Sequence, residues 1–303
     1  MQIVSPQPIL RFLSGWRYGH SDGTNPRRPN LKLIKLKSLH PITLCMKKIF
    51  FVGTAGCGKS TLVAAYKEWL EEQGVDALIL NLDPGSDVLP YQPDVDIREW
   101  VSTADVMEEY GLGPNGAQIV AADIMALNID RMTDVLGSMR SDYLLVDTPG
   151  QLELFAFRES SKMTVESLGA EDSMIVYLSD PSLCKDPNGF VTSMMLSSLV
   201  QFRLQLPTFG FLSKSDILSE EEKDRVIGWF TDSDSLYFDL LDQDSEPQTV
   251  VGMELFKAME SMGIFGQVRA VSAEMSQGMD EIYAAVQLAF FGGEDSDIMS
   301  PND

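Results

Sequence analysis

The segment "FFVGTAGCGKST", residues 50–61, has the residue types and spacing of a phosphate-binding loop. It matches the pattern G-x-x-x-x-G-K-[ST], directly after an apolar run and at the start of the helical pattern "STLVAAYKEWL". In such a strand-to-helix turn, backbone amides surround a β-phosphate, the lysine bridges the β- and γ-phosphates, and the serine holds Mg²⁺. The predicted nucleotide-binding residues of this segment are Gly53, Ala55, Gly56, Cys57, Gly58, Lys59, Ser60 and Thr61.

Two carboxylates follow other apolar runs and fit the same site. "YLLVDTPGQLE", residues 143–153, ends a predicted strand in Asp147, whose carboxylate is suited to holding Mg²⁺. Gly150 of this segment offers its amide to the γ-phosphate. "ALILNLDPGSD" places Asp83 after another predicted strand, at the sheet edge where open α/β folds bind ligands. We expect Asp83 to orient an attacking water or a magnesium-bound water.

A base-binding site is predicted from two later segments. "FLSKSD", residues 211–216, resembles the [N/T]-K-x-D motif by which GTPases read guanine, with Asp216 accepting from the base and Lys214 lying along its ring. Ser213 stands where Asn is usual, which weakens the inference of a strict guanine preference. "AVSAE", residues 270–274, resembles the loop whose alanine amide meets the guanine O6; its predicted binding residues are Ser272 and Ala273.

These segments require an α/β framework. Short apolar runs alternate with helical patterns, which is typical of a mostly parallel sheet covered by helices on both faces. We therefore predict a three-layer P-loop NTPase fold with a helical insertion. The predicted strands are 49–52, 77–80, 143–146, 174–178, 208–212 and 267–271. Two predicted buried stripes at helical spacing are Met125, Ile129, Met132, Leu136 and Met139, and Val191, Met195, Ser198 and Phe202.

Composition and charge exclude several classes of function. The net charge is −22, and an acidic body repels nucleic-acid backbones, so we expect no direct nucleic-acid binding. No apolar run reaches the length of a membrane helix, so no membrane partner is expected. Both histidines precede residue 46, which argues against a zinc site in the main body. Three cysteines without metal-like spacing indicate a reducing compartment, and we predict a cytoplasmic location.

The charge also indicates domain boundaries. Residues 1–45 carry seven bases against Asp22 alone, which gives +6 and leaves −28 for residues 46–303. We interpret 1–45 as a disordered basic extension or a mis-assigned start before Met46; a mitochondrial presequence is the alternative. The predicted nucleotide-binding domain is 46–291. Within it, we predict that residues 219–264 form an acidic helical insertion, which could be a lid, a docking surface or a solvated excursion. We predict that residues 292–303 form an acidic disordered tail.

A Gly-Pro-Asn-Gly tract at residues 113–116 interrupts two helical patterns. Taken alone it predicts a turn, because Pro fixes φ and Asn and Gly tolerate the left-handed region.

In its order of motifs the chain resembles the GPN-loop GTPases. The resemblance covers residues 46–291 and rests on the phosphate loop, "NLDPG", "PDVDIRE", "YGLGPNGA", "DTPGQLE", "SKSD" and "SAE". It implies a GTP-hydrolysing homodimer that uses Mg²⁺ and acts as an assembly switch, with RNA polymerase as a client and a link to nuclear import in eukaryotic members.

The resemblance also implies roles for individual residues. Gly113, Pro114 and Asn115 would reach toward the phosphates bound by the partner subunit. Asp83 and Glu153 would serve the hydrolytic water, with support from Gln151. Ser60 and Asp147 would serve the metal.

Three other functions fit the phosphate loop. A small-molecule or polynucleotide kinase uses the same loop, although "DTPGQLE" is more typical of a hydrolase. A nickel-handling GTPase would need Cys or His ligands, and residues 46–303 contain only Cys57 and Cys184. A scaffold that binds nucleotide without turnover is the non-enzymatic alternative.

Overall fold

The computed structural model describes residues 46–243, 247–261 and 268–292. The predictions made for residues 1–45 and for the tail from 293 onward lie outside this described part.

Within the described residues, seven parallel strands form one sheet in the order β3-β2-β4-β1-β5-β6-β7. The strands are β1 (Lys47–Gly53), β2 (Ala77–Asn81), β3 (Val95–Asp96), β4 (Tyr143–Asp147), β5 (Ser173–Ser179), β6 (Thr208–Leu212) and β7 (Arg269–Ala270). The three-layer α/β prediction is confirmed. The short edge strand β3 was not predicted, because two residues give no recognisable alternation.

The register places the loops at one sheet edge. In the centre of the sheet, Phe51 of β1 lies beside Asp147 of β4, which in turn lies beside Asn81 of β2. Strands β4 and β5 are buried along their whole length, which explains their continuous apolar sequences. The carboxyl ends of β1, β2 and β4 therefore carry the phosphate loop, the Asp83 loop and the Asp147 loop side by side.

Helices cover both faces of the sheet. Their bounds are α1 (Lys59–Glu72), α2 (Thr103–Tyr110), α3 (Pro114–Gly137), α4 (Leu152–Ala156), α5 (Glu159–Leu168), α6 (Pro181–Cys184), α7 (Pro187–Leu204), α8 (Glu220–Thr231), α9 (Ser233–Leu241), α10 (Pro247–Ser261) and α11 (Met279–Phe291). Apolar side chains of α1 and α11 pack on one face of the sheet, and those of α2, α3, α4 and α5 pack on the other. Among these described helices, none is both long enough and apolar enough to cross a membrane.

One of the two predicted helical stripes is correct and the other is shifted. The stripe of α3 is buried from Met125 to Leu136, and Met139 lies just beyond the helix end. On α7 the stripe prediction was wrong, because Phe202 is 75% exposed. The buried face of α7 divides between two clusters, with Phe190 against the insertion and Val200 against the sheet. A helix that packs on two bodies does not keep one straight stripe.

The Gly-Pro-Asn-Gly tract belongs mostly to a helix rather than to a turn. Helix α2 ends at Gly111, which takes a left-handed φ of 61°. Gly113 is the extended residue before α3, and Pro114 is the first helical residue. Proline suits that position because its fixed φ is helical and its missing N–H has no partner there in any case. Asn115 therefore lies on the first turn of α3.

The insertion at 219–264 is helical where it is described, as predicted. Helix α8 begins with a capping box formed by Ser219 and Glu222. Trp229, Leu236 and Phe256 of α8, α9 and α10 share a buried cluster with Phe190 of α7. This insertion thus has its own apolar core, attached to the main domain through α7.

A pair of glycine substitutions tests the packing of α7 against α6. A Cβ at Gly189 of α7 would lie 2.1 Å from the Leu183 carbonyl oxygen, whereas a Cβ at Gly228 of α8 has no neighbour within 4 Å. We expect Gly189→Ala to lower the free energy of unfolding by about 1–3 kcal/mol through overpacking. Gly228→Ala should raise it by about 0.5–1 kcal/mol. Urea unfolding measures both; equal stability of the two variants would contradict the described contact between α6 and α7.

Candidate functional site

The phosphate loop occupies the turn between β1 and α1. Gly56 and Gly58 take left-handed φ values of 78° and 93°, which glycine adopts without steric cost. Lys59 is 5% exposed, and its ammonium donates to the carbonyl oxygens of Gly53 and Thr54, both at 2.9 Å. The first amides of α1 have no partner within the helix. Together with the helix dipole they form an anion-binding site.

The carboxylate of Asp147 is buried at the end of β4, where it is 1% exposed. Its Oδ2 accepts a hydrogen bond of 2.6 Å from the Tyr91 hydroxyl, while Oδ1 has no hydrogen-bond partner among the described residues. Burial raises the pKa of Asp147, whereas the Ser60 and Tyr91 hydroxyls and the Lys59 charge act to lower it. A buried carboxylate with a free oxygen beside a serine hydroxyl is a suitable ligand set for a hard divalent cation.

Tyr91 is a site residue that sequence reasoning missed. It lies in the loop between β2 and β3, partly buried against the cluster that contains α1. Burial and the Asp147 carboxylate raise its pKa, so its hydroxyl remains a proton donor. Tyr91 was not predicted because a tyrosine in a loop belongs to no recognised sequence motif. Its place in the sequence between Asp83 and β3 was the one available signal.

Asp83 connects two of the predicted loops. Its Oδ2 accepts from the Gly150 amide at 3.1 Å, and its Oδ1 accepts from the Gly85 amide at 2.8 Å. Asn81 holds the loop from the sheet side, with its side-chain oxygen accepting from the Asp83 amide at 3.0 Å. Asp83 and Gly150 therefore lie together as predicted.

An ion pair supports the same loop from the other side. The Arg98 guanidinium donates to both carboxylate oxygens of Asp96 and to the Ser86 carbonyl at 2.8 Å. The Asn81 amide also donates to Asp96, at 2.9 Å. The "PDVDIRE" segment thus fixes the position of the Asp83 loop.

A cavity of 220 Å³ lies in front of these loops. Its lining residues are Ala55, Asp83, Pro84, Gly85, Gln118, Ala122, Pro149, Gly150, Gln151 and Leu154. Gln151 lies there as expected, at the exposed start of α4. Gln118, on α3, was missed because nothing in its spacing separates it from an ordinary helical residue. Asn115 is exposed and lies outside this lining, and the Glu153 side chain lies outside the described part of the chain.

A second cavity, of 360 Å³, lies on the other side of the phosphate loop. It is lined by Gly58, Thr61, Leu62, Ser213, Lys214, Asp216, Ile217, Val271, Ala273 and Glu274. The Ser272 hydroxyl donates to Asp216 and so orients its carboxylate. Lys214 takes a left-handed φ of 46°, and its ammonium donates to the Gly56 carbonyl at 2.5 Å. Of the predicted base-binding residues, Lys214, Asp216 and Ala273 therefore line one cavity beside the phosphate loop, and the buried Ser272 contacts it through Asp216.

Ser213 connects the base loop to the phosphate loop. It is buried, and its hydroxyl lies 2.7 Å from the Cys57 carbonyl and 3.1 Å from the Ser179 carbonyl. The side chain at this position therefore faces loop carbonyls. The departure from Asn leaves Asp216 and its orientation by Ser272 in place.

Another cavity, of 530 Å³, lies between α7, β6 and α11, and none of the predicted site residues lines it.

The chain is similar to known proteins. A family model described as "Conserved hypothetical ATP binding protein" matches residues 51–291. The chain is 35% identical over 239 residues to "GPN-loop GTPase PAB0955" of Pyrococcus abyssi, covering 77% of this chain and 93% of the relative. It is 30% identical over 251 residues to "GPN-loop GTPase 1" of Dictyostelium discoideum, covering 80% of this chain and 61% of that relative's length.

A solved structure is similar as well. The crystal structure described as PAB0955, a GTPase in apo form from Pyrococcus abyssi, superposes with a TM-score of 0.72 at 32% identity. The match covers 82% of this chain and 98% of that one.

Proposed function

The chain belongs to the GPN-loop GTPase family, and on that premise we propose that it hydrolyses GTP to GDP and phosphate, with Mg²⁺, as a homodimer. The observation that carries this proposal is the pair of cavities that meet at the phosphate loop. One contains Asp216 and Ala273, which suit a base, and the other contains Asp83 and Gly150, which suit the terminal phosphate and a water.

Guanine fits the base cavity better than adenine does. A carboxylate accepts hydrogen bonds, and guanine offers donors at N1 and N2 where adenine offers none. Ser272 holds Asp216 so that the carboxylate is oriented before a base arrives. An adenine there would offer no such donors to the Asp216 carboxylate, and a site built to hydrogen-bond a group of the substrate discriminates against an analogue that lacks that group. We therefore propose GTP as substrate, in agreement with the names of the relatives.

Ser60 and Asp147 would hold the magnesium. The fit rests on the buried Oδ1 of Asp147, which has no hydrogen-bond partner among residues 46–243, 247–261 and 268–292, and on the Ser60 hydroxyl, which acts to lower the pKa of that carboxyl. Bound there, Mg²⁺ would neutralise charge on the β- and γ-phosphates. Tyr91 orients the carboxylate by holding its other oxygen.

Hydrolysis needs a positioned water. Water attacks the γ-phosphorus, the bond to the β-phosphate oxygen breaks, and GDP leaves. Asp83 would accept a hydrogen bond from this water, with Gln151 and Glu153 as the further polar groups of the same loops. The Gly150 amide and Lys59 would stabilise charge on the phosphate oxygens.

A homodimer explains the position of Asn115. Its side chain is exposed at the first turn of α3, outside its own subunit's cavity. The same helix exposes the apolar side chains of Ile119 and Leu127, the latter by 76%. We propose that this face meets a second copy and that Gly113, Pro114 and Asn115 reach the partner's phosphates. Asn115 would supply a neutral hydrogen-bond donor to the γ-phosphate.

The cellular role is proposed by resemblance. A nucleotide-dependent dimer suits an assembly switch with a protein client, and the resemblance implies RNA polymerase. Cys57 and Cys184 are buried free thiols, which suits the reducing cytoplasm.

The test of the proposed function is turnover of GTP and ATP as protein concentration varies. We expect GTP to be preferred by at least about a hundredfold in kcat/KM, and turnover per subunit to rise with concentration because the dimer is the active form. Binding without turnover would instead favour a scaffold. A phosphorylated acceptor recovered with GDP would favour a kinase.

Tyr91→Phe tests the support of the metal site. Loss of the hydroxyl leaves Asp147 Oδ2 without its donor, so we expect the Mg²⁺ concentration for half-maximal GDP retention to rise about tenfold. Fluorescent GDP release measures this without any turnover. Tyr110→Phe, at the end of α2, is the matched control and should not change it. An unchanged Mg²⁺ requirement in Tyr91→Phe would exclude the supporting role.

Asn115→Ala tests action in trans. We expect GTP turnover to fall about a hundredfold with GTP affinity retained, whereas Lys59→Ala should lose GTP affinity. Asp216→Asn allows the subunits to be told apart, because an amide donates to the O2 of xanthine and directs that subunit to XTP. In mixed dimers holding GTP and XTP, Asn115→Ala on the XTP subunit should slow GDP formation. Slower XDP formation instead would mean that Asn115 acts within its own subunit.

A further inference from the structure

We propose that Gln118 is a further catalytic residue of this site, one that orients the attacking water within its own subunit. This inference rests on the proposed GTP hydrolysis. The two amide side chains on α3 would then have different roles. Asn115 acts on the partner's nucleotide, and Gln118 acts on the nucleotide of its own subunit.

Gln118 lies close to the other residues of the proposed hydrolytic site. It lines the cavity that contains Asp83, Gly150 and Gln151. A Cβ placed on Gly85 would lie 3.4 Å from Asp83 Oδ1 and 3.5 Å from Gln118 Nε2, so both groups flank the same glycine. The absence of a side chain at Gly85 leaves the space between them open.

The second observation concerns the amide oxygen of Gln118. The Oε1 atom of Gln118 is buried and has no partner among the described residues. The Thr103 hydroxyl oxygen, 3.2 Å from the same Cβ position on Gly85, is also buried and has no hydrogen-bond partner in the described part of the chain. A buried polar atom without a partner destabilises the fold, and such an atom in a native protein calls for an explanation, such as strain, a catalytic role or a bound water or ion. A ligand that supplies donors to Oε1 gives that explanation.

Water is the ligand that this chemistry selects. A water between Asp83 and Gln118 would donate one hydrogen bond to the carboxylate and the other to the amide oxygen, which leaves a lone pair for attack on the γ-phosphorus. Because the amide is neutral, it adds no repulsion toward the phosphate. Gln151 lines the same cavity but is exposed at the start of α4, so Gln118 is the less exposed of the two amides.

Gln118→Met is the discriminating variant, because methionine has nearly the same shape and no hydrogen-bonding amide. We expect kcat for GTP to fall about ten- to a hundredfold, with GTP affinity unchanged. The melting temperature should stay equal or rise, because the unpaired buried oxygen is removed. Gln201→Met, at an exposed position of α7, is the matched control and should change none of these quantities.

A purely structural role for Gln118 predicts the opposite pattern. A lower melting temperature together with a parallel loss of GTP affinity would overturn the proposal. So would a kcat within twofold of the wild-type value. If wild-type protein binds GTP without turnover, the proposed function fails first, so the two failures are distinguishable.

Mixed dimers with the Asp216→Asn subunit give a second readout that needs no comparison of stability. Gln118→Met on the GTP subunit should slow GDP formation and leave XDP formation unchanged. The same substitution on the XTP subunit should slow only XDP formation. Slower product formation on the opposite subunit would overturn action within the same subunit.

Discussion

A buried carboxylate at the centre of the sheet determines most of the site. Asp147 ends β4 between β1 and β2, where solvent does not reach it. An ionised carboxylate in such a place is costly unless hydrogen bonds or a cation compensate it. Tyr91 satisfies one oxygen, and the other has no hydrogen-bond partner in the part of the chain that the structure describes. The loop that carries Tyr91 must therefore remain against β4, and this loop also carries Asp83.

Hydrogen bonds to the phosphate loop connect it to the base cavity. Its carbonyl oxygens accept from Lys59 on the inside and from Ser213 and Lys214 on the base side. Its glycines allow the backbone to turn through left-handed conformations while these donors converge on it. The base loop and the phosphate loop are thus fixed relative to each other before any ligand binds, which reduces the ordering cost of binding.

Motifs and apolar runs were sufficient to predict the framework. Six strands were predicted from their apolar runs. The phosphate loop, the Asp83 loop and Asp147 were predicted because they lie at the carboxyl ends of the mostly buried strands β1, β2 and β4. The base loop was predicted from its resemblance to a known motif. The order of the strands places their carboxyl ends together, so residues distant in sequence share one edge.

The remaining features depend on contacts that no local pattern contains. Tyr91 reaches Asp147 across 56 positions of sequence, and Ser213 reaches Cys57 across 156. Gln118 differs from its helical neighbours only in what its side chain faces. Phe202 fitted a helical stripe, but α7 packs on the insertion as well as on the sheet. The turn predicted at Asn115 failed because Pro114 is compatible with either a turn or the start of a helix.

The charge of the body explains why neutral groups matter in the proposed reaction. Residues 46–303 carry a net charge of −28, so a second copy and a nucleotide are both repelled at long range. Salt screens that repulsion beyond about 8 Å at physiological ionic strength, but contacts across an interface are shorter. Apolar side chains such as Leu127 and uncharged amides such as Asn115 and Gln118 add no negative charge at those distances. Mg²⁺ bound with the nucleotide would offset part of the phosphate charge, and the proposed closure of two subunits over their phosphates would otherwise rest on these short-range uncharged contacts.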